Sequence, residues 1–243
     1  MSSPETTDTR AYEGKAKHLH VHSDGTVAMA FKDDATAFNG QKHARFPGKG
    51  ALNSQISERL FTHLIKQGFA THHLGRIDAH SLRVRAVEII PLEVVVRFRV
   101  AGSLAKRTGL PAGTSCAPPV VELYYKRDDL GDPLLNDAHV QLLGIATASE
   151  LSTLRARGIG VARELHALFA RADIELIDLK LEFGRSDAEL LLADEISGDT
   201  CRLHDRHTGT VLDKDRFRKD LGDLLVGYRE IDARLARVLG ESP

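Results

Sequence analysis

Cysteine is scarce in this chain, and the two present, Cys116 and Cys201, lie far apart. They have neither metal-ligand spacing nor a catalytic histidine context, so a disulfide scaffold and a cysteine-based centre are excluded. Free, buried thiols in a reducing cytoplasm are expected instead. An excess of either charge is missing too: 33 Lys and Arg against 34 Asp and Glu leave a net charge of −1. That balance gives no general attraction to nucleic acid or to an anionic membrane, so neither is expected as a partner, and basic residues must act locally. No apolar run approaches the ~18 residues of a membrane span. The first ten residues are polar, lack the apolar core of a signal peptide and read as a disordered tail, 1–10. Neither the GxxxxGK[ST] phosphate loop nor the GxGxxG fingerprint occurs, and Gly48-Lys49-Gly50 is too short for either. Any nucleotide site is therefore of another design.

What is present is enough to fold. With 243 residues, 42% of them hydrophobic and 28% charged, the chain suits one large domain or two intimate lobes around a sizeable core. Within it, Asp178-Leu179-Lys180-Leu181-Glu182-Phe183-Gly184 alternates charge with apolar bulk, and Ala193-Asp194-Glu195 follows. A strand has a period of two, so Asp178, Lys180 and Glu182 share one face. Both flanks are apolar, which places the strand deep in a sheet, where charges are costly unless paired or bound. Two carboxylates and an ammonium suit a metal-phosphate site. A hairpin centred near Ala188 sets Glu182 opposite Asp194, with Cβ atoms about 5 Å apart, close enough for one cation. A surface hairpin with scattered charges is the plain alternative.

Along the chain, 12–21 and 26–32 read as strands joined by Ser23-Asp24-Gly25, and 33–50 as a polar loop. Leu52, Ile56, Leu60, Leu64 and Ile65 recur at helical spacing up to Gly68. Residues 82–90 and 92–100 are strand-like on either side of Pro91; a short helix runs from Ser103 to Gly109; 120–126 is a strand and 151–172 a helix. Phe217 through Val238 marks an amphipathic C-terminal helix. The order lacks regular strand–helix alternation, so the expected class is α+β: a β-rich N-terminal lobe over 11–90 and a larger mixed lobe over 91–243.

Further residues have the chemistry for anion binding. Tyr12-Glu13-Gly14-Lys15-Ala16-Lys17 puts two lysines on one strand face beside a glycine that admits close backbone approach, or is merely an exposed basic strand. Arg97 and Arg99 end a strand before Ala101-Gly102-Ser103, so that an arginine meets a serine at a helix N-cap, a reasonable phosphomonoester pocket. Arg202, Arg216 and Arg218 add guanidiniums suited to planar anions. His18, His20 and His22 alternate on one strand and fit an exposed edge better than a zinc site; His72-His73 is uninformative.

Taken together and in order, these segments resemble the SAICAR synthetase family of purine biosynthesis. The matching stretches are YEGKAK (12–17), FKDDATAFNG (31–40), PGKG with LN (47–53), VEIIPLEVVVR (87–97), AGS with KR (101–107), GDP (131–133), DLKLEFG (178–184), ADEIS (193–197), DTCRL (199–203) and LDKDRFRKDLG (212–222). The resemblance implies a two-lobed α+β fold with ATP between the lobes, similar to protein kinases and ATP-grasp enzymes. It implies a cytoplasmic ligase, expected to be a homodimer, that uses ATP and Mg²⁺ to join L-aspartate to the carboxylate of the ribonucleotide CAIR through an acyl phosphate. Carried over by position, Gly14, Lys15, Lys17 and Lys126 would meet the ATP phosphates and Glu182 and Asp194 would hold Mg²⁺. Arg97, Ser103, Asp178, Lys180, Arg202 and Arg218 would bind CAIR, with Lys180 and Asp178 beside the reacting carboxylate and the imidazole. Five positions depart from the family's habit: Arg85-Ala86 stands for a frequent Lys-Lys, Phe98 for asparagine, Gly198 for proline and His204 for tryptophan. Two rivals stay open: a hydroxyl kinase with Asp178 as base, and a nucleotide-sensing module with a degenerate site.

Overall fold

Residues 10–37, 40–187 and 189–241 are described by the computed structural model. Residues 10–31 form three strands where two were expected. β1 (Arg10–Glu13) and β2 (Lys17–Val21) pair antiparallel, with Glu13 opposite His18. The reversal lies at Gly14-Lys15-Ala16, closed by the Gly14 N–H donating to the Lys17 carbonyl at 2.8 Å. Arg10 therefore opens a strand instead of ending a tail, while 1–9 lie outside the described residues. β3 (Thr26–Phe31) follows the predicted turn, where Asp24 accepts from the Thr26 N–H at 2.9 Å.

The expected loop at 33–50 is partly regular. β4 (Asp34–Ala37) and β5 (Lys42–Arg45) form a hairpin of small and polar residues whose buried members are only Ala35 and Ala37; 38 and 39 lie outside the described residues. Helix α1 (Lys49–Lys66) starts earlier than the apolar periodicity suggests. Asp33 accepts from the N–H groups of Gly48 and Gly50 at 3.1 and 3.0 Å, supplying partners for free donors at the helix start. Gly50 has no substitute, because a Cβ there would sit 2.4 Å from the Phe31 carbonyl oxygen. β6 (His73–Arg76) and β7 (Ser81–Arg85) complete a five-stranded antiparallel sheet in the order β1-β2-β3-β7-β6. Its own core is small: Val27, Met29, Phe31, Leu82 and Val84.

β8 (Glu88–Arg99) runs straight through Pro91, contrary to the expected break. The irregularity falls on its neighbour's register, which shifts between Glu182 and Gly184, a bulge that tolerates a residue with no N–H to donate. Then come α2 (Gly102–Thr108), β9 (Ser115–Tyr125), β10 (Leu134–Leu135), α3 (Asp137–Leu142) and α4 (Ala148–Arg171). β11 (Ile174–Arg185), β12 (Leu190–Ala193) and β13 (Cys201–Asp205) finish the second sheet, ordered β10-β9-β8-β11-β12 with β13 also on β11. Helix α4 covers one face, and Gly158 lets it approach, since a Cβ there would meet Val94 at 2.9 Å. Leu176, Leu179, Leu181 and Phe183 of β11 join Val94, Leu154, Leu165 and Phe169 in the main core. Truncating one such leucine to alanine is worth about 2–5 kcal/mol of stability.

The C-terminal amphipathic stretch is two helices, α5 (Asp215–Arg218) and α6 (Leu224–Leu239). Left-handed backbone at Asp220 and Gly222 separates them. Arg216, listed among the anion-binding candidates by its type, instead donates to the carbonyls of Asp223, Val211 and Leu221 and ties this bend down. The α+β class is as expected. The two sheets are joined where the chain passes from β7 to β8 through Ala86 and Val87, and again where Thr71 bridges to Leu192. At the first, Gly184 must be glycine, because a Cβ there would overlap Val87 at 2.4 Å.

Candidate active site

β11 lies between β8 on one side and β12 and β13 on the other, so its polar face collects charges from three neighbours. Asp178 stands opposite Arg97 of β8 and Arg202 of β13. Its carboxylate accepts from Arg97 Nη1 at 2.5 Å and from Arg202 Nη1 at 2.8 Å. Arg97 also donates to Glu122 of β9 at 2.6 Å and to Ser103 Oγ at 3.1 Å, which lies 3.0 Å from the Tyr124 hydroxyl. On the far side Arg202 Nε is 3.4 Å from Asp215, which also takes Arg218 at 2.7 Å and Lys219 at 2.9 Å. The result is an alternating ladder of cations and anions across four strands. Burial alone would lower the charge on Arg97, yet Asp178 and Glu122 hold it firmly protonated. Burial would likewise raise Asp215, but Arg202, Arg218 and Lys219 keep its carboxyl well below the usual range.

One expectation changes here. Ser103 is not the N-cap: Ala101 is, with no side-chain bond, and Ser103 is the second residue of α2, free to face Arg97. The charge of Asp178 is met by the two arginines. Arg99 is not a rung of the ladder: it pairs with Glu175 at 2.5 Å, beside the same cavity as Arg202 and Arg218. Gly102 has φ +52, and a Cβ there would come within 2.9 Å of Arg202, so this glycine lets the guanidinium lie against the start of α2.

Further along the same face, Lys180 Nζ is 2.6 Å from Glu182, 3.1 Å from Glu93 and 3.9 Å from Asp194. Lys126 pairs with Glu182, and Lys17 with Asp194 and, at 2.9 Å, with Glu195. Burial would strip the proton from Lys180, but Glu182, Asp194 and Glu93 outweigh it and raise its pKa, so it is a fixed cation and no base. Lys17 is held protonated in the same way by Asp194 and Glu195. Asp194, which burial would raise, is driven well below the carboxylate range by Lys17 and Lys180.

The predicted hairpin register is off by one. Glu182 pairs with Ala193, so a straight continuation would turn Asp194 to the opposite face. The turn's centre, Ala188, lies outside the described residues. Asp194 reaches the site because it leaves the strand with φ 61, a left-handed conformation that redirects its side chain. Lys15 and Lys17 do not share a face either: Lys15 is in the β1–β2 turn, exposed and 2.5 Å from Asp128, whereas Lys17 is inside.

Three cavities run along this face. One of about 550 Å³ has apolar walls of Leu19, Val27, Met29, Val84 and Ile89 and ends at Lys17, Lys126, Glu182 and Asp194; Gly14, Lys15, Arg85 and Ala86 are at its rim. A second, about 680 Å³, is bordered by Gly102, Ser103, Arg202, His204, Arg218 and Lys219. A smaller third, about 220 Å³, lies over Glu93, Arg97, Asp178, Lys180 and Thr200. Sequence reasoning missed Glu93, Glu122 and Tyr124, though period-two spacing with Arg97 and Lys126 was there to read. It also missed a buried group behind the third cavity. Lys49 is fully buried and 2.8 Å from Asp199, which accepts from the Tyr228 hydroxyl at 2.5 Å and has Lys214 at 3.4 Å. Gly198 leaves the room: a Cβ there would meet the Tyr228 ring at 2.5 Å. Cys201 is buried, which pushes its thiol up, while Cys116 is only half-buried, short of expectation.

The model of the family described as SAICAR synthetase matches residues 10–235. The chain belongs to the SAICAR synthetase family. The phosphoribosylaminoimidazole-succinocarboxamide synthase of Synechococcus sp. (strain CC9605) is 50% identical over 238 residues, covering 96% of this chain and 94% of its own. That of Bacillus subtilis (strain 168) is 47% identical over 229 residues, covering 93% and 95%. The solved structure of a SAICAR synthetase in complex with ADP superposes with a TM-score of 0.92 at 47% identity, covering 96% of this chain and 99% of its own. The chain is thus an ATP-dependent ligase of purine biosynthesis, joining L-aspartate to the carboxylate of CAIR to give SAICAR, ADP and phosphate. Both rivals, hydroxyl kinase and sensing module, fall with that.

Proposed function

We propose that the 550 Å³ cavity takes ATP, that the arginine-lined cavities take CAIR, and that the reaction passes through an acyl phosphate at Lys180. One observation carries this reading: Lys180 borders the cavity over Arg97 and Asp178 while bonding to Glu182, which borders the apolar-walled one. Apolar walls suit a planar base, and the ring of Lys17, Lys126 and Lys180 suits phosphates. Arg202, Arg218 and Ser103 suit the phosphomonoester of a ribonucleotide. The domain reading becomes a proposal in the same terms: lobes 11–90 and 91–243, with a boundary that falls just inside β8, hold ATP where Arg85-Ala86-Val87 joins the two sheets.

A free carboxylate is a poor electrophile. Lys180, held protonated, neutralises the substrate carboxylate as its oxygen attacks the γ-phosphorus and ADP leaves. Asp178, fixed between Arg97 and Arg202, accepts from the amino group or ribose of the same substrate. The amine of aspartate then attacks the acyl carbon, and phosphate departs with the original carboxylate oxygen. Mg²⁺ fits a donor set of two carboxylates, since it commonly takes one or two carboxylates plus phosphate oxygens. Glu182 and Asp194 would hold it, both within 4 Å of one ammonium. When bound, it would offset charge developing on the transferred phosphoryl group.

CAIR labelled with ¹⁸O in its carboxylate tests the route. One label should appear in the released phosphate; unlabelled phosphate overturns the acyl phosphate. A homodimer and a cytoplasmic location are part of the proposal. Exposed Leu130, Leu134, Leu142 and Leu143 support the first, to be checked by sedimentation. Two free cysteines, with no helix long and apolar enough to cross a membrane among the described residues, support the second.

A further inference from the structure

Asp194 is a site carboxylate that its strand does not aim. Ala193 ends β12, and Asp194 bends away with φ 61, a conformation that non-glycine residues hold only when their surroundings impose it. The surroundings come from the segment before β6. The His72 N–H donates to the Leu192 carbonyl at 2.9 Å, and the Leu192 N–H donates to the Ala70 carbonyl at 3.1 Å. These two bonds lock 70–72 beside the end of β12. The His72 ring then reaches over the bend, with Nε2 3.1 Å from the Asp194 carbonyl oxygen. A carbonyl only accepts, so Nε2 carries the hydrogen and the tautomer is set. The ring is 4% exposed and packs on Phe61, with centroids 5.4 Å apart.

We propose that His72 is a positioning residue for Asp194: its Nε2–H holds the Asp194 carbonyl, fixing the left-handed bend that turns the carboxylate toward Lys17 and Lys180 instead of to the opposite face of β12. The role needs no change of charge and no contact with substrate. It rests on the reading of Asp194 as a nucleotide-site carboxylate, and it explains how a residue in the wrong register for the site belongs to it.

His72→Phe keeps an aromatic ring against Phe61 and removes the donor. His72→Gln restores an N–H near the position of Nε2. The readouts are the affinities of ADP with Mg²⁺ and of CAIR, by calorimetry, in each variant and in the Asp194→Asn background. His72→Phe should weaken ADP about tenfold, the worth of one hydrogen bond, with CAIR changed by less than about twofold. His72→Gln should recover most of the loss, and His72→Phe should add little once Asp194 is Asn. Equal losses for ADP and CAIR, no rescue by Gln, or an undiminished tenfold loss in the Asp194→Asn background overturns the role. The last of these would mean that His72 meets the nucleotide itself, whose cavity it borders. If His72→Phe does not fold, His72→Leu beside His72→Gln makes the same comparison. Normal ADP binding by Asp194→Asn removes the reading of Asp194 itself. A weakened Asp194→Asn beside an unaffected His72→Phe removes only the positioning.

Discussion

At the arginine end of the site each charge sits on a strand or the short helix beside it and answers to the next one across: Glu122, Arg97, Asp178, Arg202, Asp215. At the lysine end the charges come from strand ends, turns and bends: Lys17 begins β2, Lys126 follows β9, and Asp194 follows β12. The first arrangement is a rigid ladder whose geometry the sheet dictates. The second sets three ammonium groups among four carboxylates, Glu93, Glu182, Asp194 and Glu195, and of these seven Lys126, Asp194 and Glu195 lie outside the paired strands. A site that binds one substrate in a fixed pose and transfers phosphate from another has use for both. In the proposed reading the ladder fixes where the carboxylate of CAIR lies, and the three ammonium groups of the cluster are there to meet phosphates.

The largest expected effect lies in the ladder. Removing Arg97 leaves Glu122 and Asp178 buried with one partner fewer, and breaking a buried pair in this way costs about 3–5 kcal/mol. Arg97→Ala should therefore lower the melting temperature as well as weaken CAIR, measured by thermal denaturation with and without ligand. A variant that melts normally would show that the ladder bears no fold stability and would dissolve the contrast.

Asp194→Asn should do the reverse. It removes charge where phosphoryl transfer needs it, for a loss of about 3 kcal/mol in transition-state stabilisation, and disturbs folding little because Lys17 keeps Glu195. The measurement is kcat/KM beside a melt. Near-normal turnover would take Asp194, and with it the proposed cation, out of the mechanism.

A third test uses acid. The folded-state pKa of Asp215 is depressed below its ordinary 3.8: burial raises it, but Arg202, Arg218 and Lys219 more than reverse that. The unfolded state then binds the proton first. The stability from this group is full above the ordinary value and is lost as pH falls from there through the folded pKa. Asp215→Asn should flatten the acid limb of a stability–pH curve and bring it closer to the neutral value. An unchanged acid limb would show that Asp215 is screened by solvent and does not close the ladder.

The same comparison explains what was legible in advance. Alternation alone displayed Asp178, Lys180 and Glu182 on one face, and the ladder follows from it once Arg97 and Arg202 fall in register. The lysine end was named by family resemblance more than by physics. A one-residue error in the β11–β12 hairpin inverted the facing of Asp194, and only its φ of 61 corrects that, a property no side-chain pattern announces. Pro91 and the single long stretch 12–21 misled for a related reason: a bulge absorbs a proline, and a three-residue turn hides within alternating residues. Lys49 and Asp199 were invisible because two distant residues meet only after α1 packs.

The smallest effect separates Lys15 from Lys17. Both come from one hexapeptide, but Lys17 is enclosed between Asp194 and Glu195, whereas Lys15 is half exposed and bonds to Asp128 beside the cavity proposed for ATP. An exposed charge pair is worth about 0–1 kcal/mol, and salt weakens it further because the surrounding ions screen it. Lys15→Ala should thus raise the KM for ATP by no more than about fivefold. The increase should shrink as ionic strength rises, with kcat and the melting temperature unchanged. The check is a series of ATP saturation curves for the parent and Lys15→Ala at low and high salt. A loss as large as that of Lys17→Ala, and insensitive to salt, would mean that the β1–β2 turn folds down over bound nucleotide and takes Lys15 out of water. The lysine end would then be a site that closes around its ligand, while the ladder stands ready-made.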